Sequence, residues 1–491
     1  VIRGLLIVLA LSASAWAEPF SIESLRPWSV NSSGGSKVSI PATLSHPGAT
    51  LWTSFPAETS PAELDGDQLV FRVRPKLANG FGVVRVVGTN GISLPKLIAI
   101  DPFPTVSPGK TNTTPDRALL LRPPCAVELA IEGSGSRWFS VDLKKNATLG
   151  IEAVAQRWGS PLDPFLRVLA PSGQQVAIAD ETAGLGIDAG LRIKVTQAGR
   201  HLIELRDSAF SGGKNERVRL RIGDFTPARV APAFPTNLVP ALETDTPILR
   251  LPTQADAVTR VAIPSVVSGV LDRPGRSYLL EIKGEKDRWV RVAAASRALG
   301  SPGDLAVSLI SSSGKLLSEL DATRADDGSF SYKFPETGTY RLAVRELNRG
   351  GGDGYVFRLS LRSGRGDADF QVDRHTADAS PGSTLELKIA INRRNFDIPV
   401  AFRAVGLPEG FTCAPANVDA KAKEASLKIS VPPSAAPGTL IHFGLVAEME
   451  IDSVKTTEGV RTRTALGKTW PAVLFPPTGM DGVIALGIRA K

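Results

Sequence analysis

The phrase AQRWGSPLDPFLRVLAPSGQQ, which starts at Ala155, returns as ASRALGSPGDLAVSLISSSGKL from Ala295. Asp163 is matched by Asp304 and Gly173 by Gly314, the same separation of 141 residues at both points. Farther along, Val195 is matched by Phe334 and Ile222 by Leu361, now at 139. The two lost residues fall in the Gly-rich stretch ETAGLGIDAG, and an indel there leaves the phase of the flanking segments intact, as surface loops tolerate and strands do not. A duplicated domain accounts for this pattern. With about 100–200 residues per domain, a chain of 491 residues accommodates about three to five cores.

Both copies alternate apolar and polar residues with a period of two. In RVRLRIGD, Val218, Leu220 and Ile222 oppose Arg217, Arg219 and Arg221; in GSFSYKFPE the apolar set is Phe330, Tyr332 and Phe334. That period predicts half-buried strands with a solvated basic face. About eight short strands per copy, with no segment of helical periodicity, predict two antiparallel sheets packed as a jelly-roll-like sandwich.

The stretches SRWFSVDLKKNATLGIEAVAQRWGSPLDPFLRVLAPSGQQVAIAD, GRHLIELRD and RVRLRIG, and in the second copy RSYLLEIKGE and GTYRLAVREL, resemble the bacterial pre-peptidase C-terminal (PPC) domain. The resemblance implies a β-sandwich of the kind that accompanies exported bacterial proteins. His201 stands where the second copy has the more usual aromatic Tyr340, and Gly303 where the first has Leu162. Around the copies, residues 18–104 predict an Ig-like sandwich, and residues 367–455, with the GLPEGF and APG turns, an Ig-like or fibronectin-like one. The expected fold class is therefore all-β, with tandem sandwiches joined by Pro-rich linkers. The copies themselves take residues 126–225 and 251–366, residues 105–125 and 226–250 are expected to be linkers, and residues 456–491 to form an unassigned tail.

Arg3, the apolar run that follows it and Ala15-Trp16-Ala17 read as a secretory signal peptide over residues 1–17. No later stretch is long and apolar enough to predict a transmembrane segment. The expected location is secreted, periplasmic or at the cell surface. Cys125 and Cys413 fall in different domains, so no disulfide is expected.

The net charge of +8 is spread along the chain. Residues 126–224 carry 13 basic and 12 acidic side chains, residues 266–365 carry 16 and 12, and no basic stripe with interleaved aromatics predicts nucleic-acid binding. His46, His201, His375 and His442 lack zinc-ligand spacing, and no Gly-x-Ser-x-Gly elbow is present, so no catalytic residue is assigned. Arg365-Gly366-Asp367 is read as an exposed turn, not an adhesion motif.

Two constellations stand out. Asp163, Asp180, Asp188 and Asp207 correspond to Asp304, Asp321, Asp327 and Glu346, and carboxylates converging from loops at one end of a sandwich could hold calcium. The alternative is that they cap turns by accepting backbone N–H bonds. Trp158, beside the Gly-Ser-Pro turn, is a candidate glycan platform, and covering the core is its alternative. The functional expectation is a non-catalytic binding or spacer protein for an extracellular or periplasmic protein, matrix or polysaccharide. Its competitor is the accessory region of a secreted peptidase system.

Overall fold

The computed structural model describes residues 19–491 except 110, 183–184, 214–215, 228–233, 236–237, 240–246, 253–257, 324–325, 365, 452, 474–475 and 478. The expected signal peptide and Arg365 of the Arg-Gly-Asp tripeptide lie outside the described residues. Among the described residues eight sheets form four sandwiches, each with its own core. No helix of the described residues is long and apolar enough to cross a membrane.

The two repeats share one strand plan. In the first, the sheet Thr105–Val106, Cys125–Ala130, Arg217–Gly223, Thr148–Val154, Ala189–Lys194 faces a second sheet whose strands are Leu119–Leu121, Arg137–Leu143, Gly199–Asp207, Pro164–Leu169 and Gln175–Ala179. Val127, Ile151 and Leu220 from one sheet meet Phe139, Val168 and Ile203 from the other in a single core. Each such side chain, fully buried, contributes about 1.5–3 kcal/mol. The second repeat reproduces the order and adds one edge strand, Asp321–Thr323, with Val267, Val292 and Leu359 against Leu280, Val307 and Leu342.

The expected linkers are in part structural. Thr105–Val106 and Leu119–Leu121 add in parallel to the edges of the first repeat's sheets, and Ile248–Arg250 does the same in the second, as does Thr259–Arg260 inside the expected second copy. These runs of two or three residues are too short for alternation to register, so only their pairing reveals them. Between the repeats, Phe234 packs edge-on to Trp52, their ring centroids 5.9 Å apart. Val239 sits so close to Gly444 that a Cβ there would come within 2.9 Å of it. The connection is thus held down in the parts described.

The tail is also structural. Val454–Gly459 pairs with the long strand Leu440–Ile451, and Ile484–Ile488 inserts between that strand and Thr376–Ala379. The last strand is central to its sheet and buried at every position. Between the two lies the only α-helix among the described residues, Arg463–Thr469. A fully buried strand carries no polar alternation, so IALGI gave no period of two to read.

Three of the four sandwiches pack on one another. In the N-terminal sandwich the strand Gly80–Gly88 is buried at every residue, and so is Lys96–Asp101. One face of this sheet meets its partner sheet through Val84, Val86, Ile98 and Ile100. Its other face, with Phe81, Val83, Leu97 and Ala99, packs on Val154 and Trp158 of the first repeat and on Leu466 and Trp470 of the C-terminal sandwich.

Candidate functional site

The repeated phrase builds a turn, and the predicted carboxylates hold it. A 3-10 turn, Gln156–Trp158, ends on Gly159 at φ 92°, and its copy, Arg297–Leu299, ends on Gly300 at φ 82°. Only glycine adopts such φ values without strain, which is why the phrase keeps a glycine at that point. Asp188 Oδ1 accepts the N–H groups of Ala155 at 3.0 Å and Gln156 at 2.8 Å, and Oδ2 accepts Arg157 Nε at 2.6 Å. Asp327 takes the N–H groups of Ser296, Arg297 and Ala298 at 2.9–3.0 Å. Next to it, Asp207 accepts from the N–H of Asp163 at 3.2 Å, as Glu346 accepts from that of Asp304 at 3.3 Å.

These bonds put the carboxylates of Asp188, Asp207, Asp327 and Glu346 on backbone N–H groups of the turns. Asp180 is exposed and accepts its neighbour's N–H, Asp304 lies 3.8 Å from Arg297 Nη2, and the side chain of Asp321 is outside the described set. Asp163 is brought near Asp207, and burial, then the Asp207 charge, pushes its carboxyl up. Among the described residues no three His, Cys, Asp or Glu side chains gather as a metal-holding set. Asp188, Asp207 and Asp327, the buried members of the expected calcium set, spend oxygens on backbone donors, whereas Asp163 Oδ1 is buried without a hydrogen-bond partner.

Trp158 is packed, not presented. It is 6% exposed, meets Trp28 edge-on at 5.9 Å between centroids, and joins Leu97 and Trp470 where three sandwiches meet. An exposed sugar platform at Trp158 is thus replaced by an interdomain wedge, with a 220 Å³ cavity beside it.

Two buried polar networks sew the block together. On the first repeat, Arg219 is 1% exposed and makes a two-pronged contact with Asp101 of the N-terminal sandwich, at 2.8 and 2.6 Å, plus a 2.9 Å bond to Glu128. Arg221 bonds Glu152, which Arg157 also reaches at 2.6 Å. Burial alone would raise the Glu152 carboxyl, but Arg157 and Arg221 together hold it below its ordinary value. The basic face read as solvated is, at Arg219 and Arg221, closed by another domain.

The second network joins the N- and C-terminal sandwiches. Arg85 donates to Ser93 O and Thr376 Oγ1, both at 2.9 Å, and Thr376 exchanges a 2.8 Å hydrogen bond with His375 Nδ1. Asp378 accepts the Ile92 N–H at 2.9 Å. Burial drives every ionisable group here toward its neutral form: Asp378 is pushed up to about 7, Arg85 down to about 9, His375 down to about 3 and His442 to about 4.

A cleft of about 1020 Å³ lies between the second repeat and the C-terminal sandwich. The floor on one side is the outer face of the sheet containing Trp289–Ala295 and Val356–Ser363, with Ala293, Ser329 and Ser360. The far wall brings Gln371, Asn392 and Arg394. At one end Asp367 ties the two sides together by accepting from Arg291 and, at 3.1 Å, from Arg362.

No protein-family model matches this chain. No curated protein matches it either. Solved structures give partial likenesses. The pre-peptidase C-terminal domain of a collagenase from Bacillus anthracis aligns at 15% identity and TM-score 0.18, over 23% of this chain and 100% of that one. A putative secreted protein from Eubacterium rectale aligns at 9% and 0.14, over 46% and 69% of the two chains. The N-terminal four Ig domains of Dscam1 isoform 6.9 align at 8% and 0.18, over 95% and 98%. The sandwich assignment rests on the strand pairings above.

Neither the cleft nor the Arg85–Asp378 network was found from sequence. The one signal pointing at the cleft is the excess of basic over acidic residues in the second repeat, and it carries no position.

Proposed function

We propose that this chain is a non-catalytic binding protein, exported from the cytoplasm, that takes up an extracellular or periplasmic polysaccharide or protein in the cleft between the second repeat and the C-terminal sandwich. The carrying observation is that this 1020 Å³ opening has one wall packed on the N-terminal sandwich and first repeat through Leu466 and Trp470, and that Asp367 ties its other wall, the second repeat, at one end through Arg291 and Arg362. Preorganised walls spare a ligand the cost of ordering them. A volume at the upper end of the roughly 300–1,000 Å³ of small-molecule sites suits a chain-like ligand. The carboxylates nearest to the repeated phrase cap turns and the His375 imidazole is engaged by Thr376 and Thr469, which leaves these groups to structure instead of acid–base chemistry.

Binding of the intact protein to an array of acidic and neutral glycans, read beside a variant with Ser360→Trp, tests the reading. Ser360 is exposed on the cleft floor, so the indole fills space without entering a core. Binding lost in the variant supports the cleft as the site; binding retained moves the site elsewhere. Hydrolysis of casein by the purified protein would overturn the non-catalytic assignment.

A further inference from the structure

The two repeats present the same sheet face to different surroundings, and the difference defines a ligand class. In the first repeat, Glu128 lies opposite Arg219 and Glu152 opposite Arg221 across neighbouring strands. In the second, the same register places Ser268 opposite Arg358 and Ala293 opposite Ser360. Both glutamates have become small residues, while one of the two arginines has been kept. The first face is sealed by the N-terminal sandwich, with Asp101 completing its charge balance. The second face opens into the cleft, with no carboxylate across the ladder from Arg358.

The cleft as a whole is lined by six arginines and four carboxylates. Three of those carboxylates are occupied. Asp367 accepts from Arg291 and Arg362, Asp369 accepts from Gln371 Nε2 at 3.0 and 3.1 Å, and Asp481 accepts the Thr462 N–H at 2.9 Å. Arg358 and Arg394 are exposed, one from each wall, and neither has an ion pair among the described residues. Arg362 Nη1 is buried without a hydrogen-bond partner. An arginine fork fits carboxylate geometry with two parallel N–H bonds, better than it fits any neutral group.

The floor argues against a peptide. The strand Trp289–Ala295 is paired on both sides, by Val356–Ser363 and by Asp326–Lys333, so its main chain has no free edge on which an extended peptide could add. What the floor offers is side-chain hydroxyls from Ser329 and Ser360, with the amides of Gln371 and Asn392 across the gap. Such groups pair with a ligand that carries many hydroxyls as well as carboxylates.

We propose that the cleft binds an acidic polysaccharide, a chain of uronic-acid residues whose carboxylates are taken by Arg358 and Arg394 and whose hydroxyls meet Ser329, Ser360 and Asn392. The inference rests on the cleft being a binding site, as argued above, and adds the class of ligand.

The test is calorimetric titration of the full-length protein with a hexamer of galacturonic acid, a neutral gluco-oligosaccharide of equal length and poly-glutamate. The galacturonate hexamer is expected to bind, more weakly as salt is raised. Its affinity should fall at least tenfold in Arg358→Ala and in Arg394→Ala, both exposed positions whose change leaves the fold intact. Ala293→Glu, which restores the carboxylate of the first repeat, should abolish binding; unchanged circular dichroism certifies that variant, and the two arginine variants decide alone if it fails to fold. Poly-glutamate binding as tightly as the hexamer would overturn the sugar class. So would hexamer binding that the arginine variants leave untouched, or no hexamer binding at all. Neutral-sugar binding lost on Ser360→Trp would overturn the acidic class and keep the cleft; no probe bound there would remove both.

Discussion

At the residue scale, Asp188 and Asp327 do the work that fixes the repeated phrase. Each accepts main-chain N–H groups of three consecutive residues and an arginine Nε. Removing one partner from a buried, hydrogen-bonded ion pair costs about 3–5 kcal/mol. Asp188→Ala is therefore expected to lower the stability of the first repeat by about that much, read as a drop in the urea midpoint, whereas exposed Asp180→Ala should stay within about 0.5 kcal/mol of the parent. Because Asp188 and Asp327 already spend their oxygens on protein donors, excess calcium and excess EDTA should leave the melting temperature where it was. A rise with calcium that Asp163→Asn abolishes would show a metal site instead. The choice between capping and calcium was open in the sequence because both uses ask for Asp in loops. Three-dimensional placement of the N–H groups puts Asp188 and Asp327 on the capping side.

At the scale of elements, the strands with clean alternation were legible one by one. Val218, Leu220 and Ile222 are all in the core of the first repeat, as their spacing demands. The elements that escaped are those without a period. Thr105–Val106 and Thr259–Arg260 are two residues long, and Ile484–Ile488 is buried on both faces. Their roles are not minor. Deleting residues 484–491 withdraws a central strand and leaves the edges of Thr376–Ala379 and Leu440–Ile451 unpaired. The truncated chain is expected to lose the protease-resistant C-terminal sandwich on limited proteolysis. A fragment of unchanged resistance would mean that the strand is dispensable.

At the scale of the whole molecule, the interfaces carry the buried charges, and pH should reach them. Asp378 has a folded pKa of about 7, above its ordinary 3.8, so the stability it contributes is full below pH 3.8 and is lost as pH rises through 7. His375 and His442, held down to about 3 and about 4 from 6.5, work in the opposite sense: their contribution is full above pH 6.5 and is lost as pH falls toward 3–4. Two histidines against one carboxylate leave a net gain of about 1.4 kcal/mol per pH unit between pH 4 and 6.5 from this cluster. Asp378→Asn keeps the oxygen that accepts from Ile92 and removes the opposing carboxyl. Its stability relative to the parent is expected to grow from pH 4 to 7, by up to about 4 kcal/mol, and then level off. A pH-independent difference in chemical denaturation would refute the assignment. Arg219→Ala, which takes the guanidinium away from buried Asp101 and from Glu128, should cost about 3–5 kcal/mol and loosen the N-terminal sandwich from the first repeat, seen as faster hydrogen exchange along Lys96–Asp101.

The sequence by itself determined the duplication, the strand phase within each copy and the turn residues, because these depend on neighbours a few positions away: side chains alternate along a strand, and glycine alone turns cheaply at positive φ. It could not determine which polar face meets water. Arg219 and Arg358 occupy the same place in two copies of one sheet, yet one is sealed against Asp101 and the other is exposed in the cleft. That outcome is set by a domain more than a hundred residues away, packing against one copy and not the other. Only the tertiary structure decided it, because burial of a sheet's outer face depends on what docks there and leaves no trace in the strand's own period.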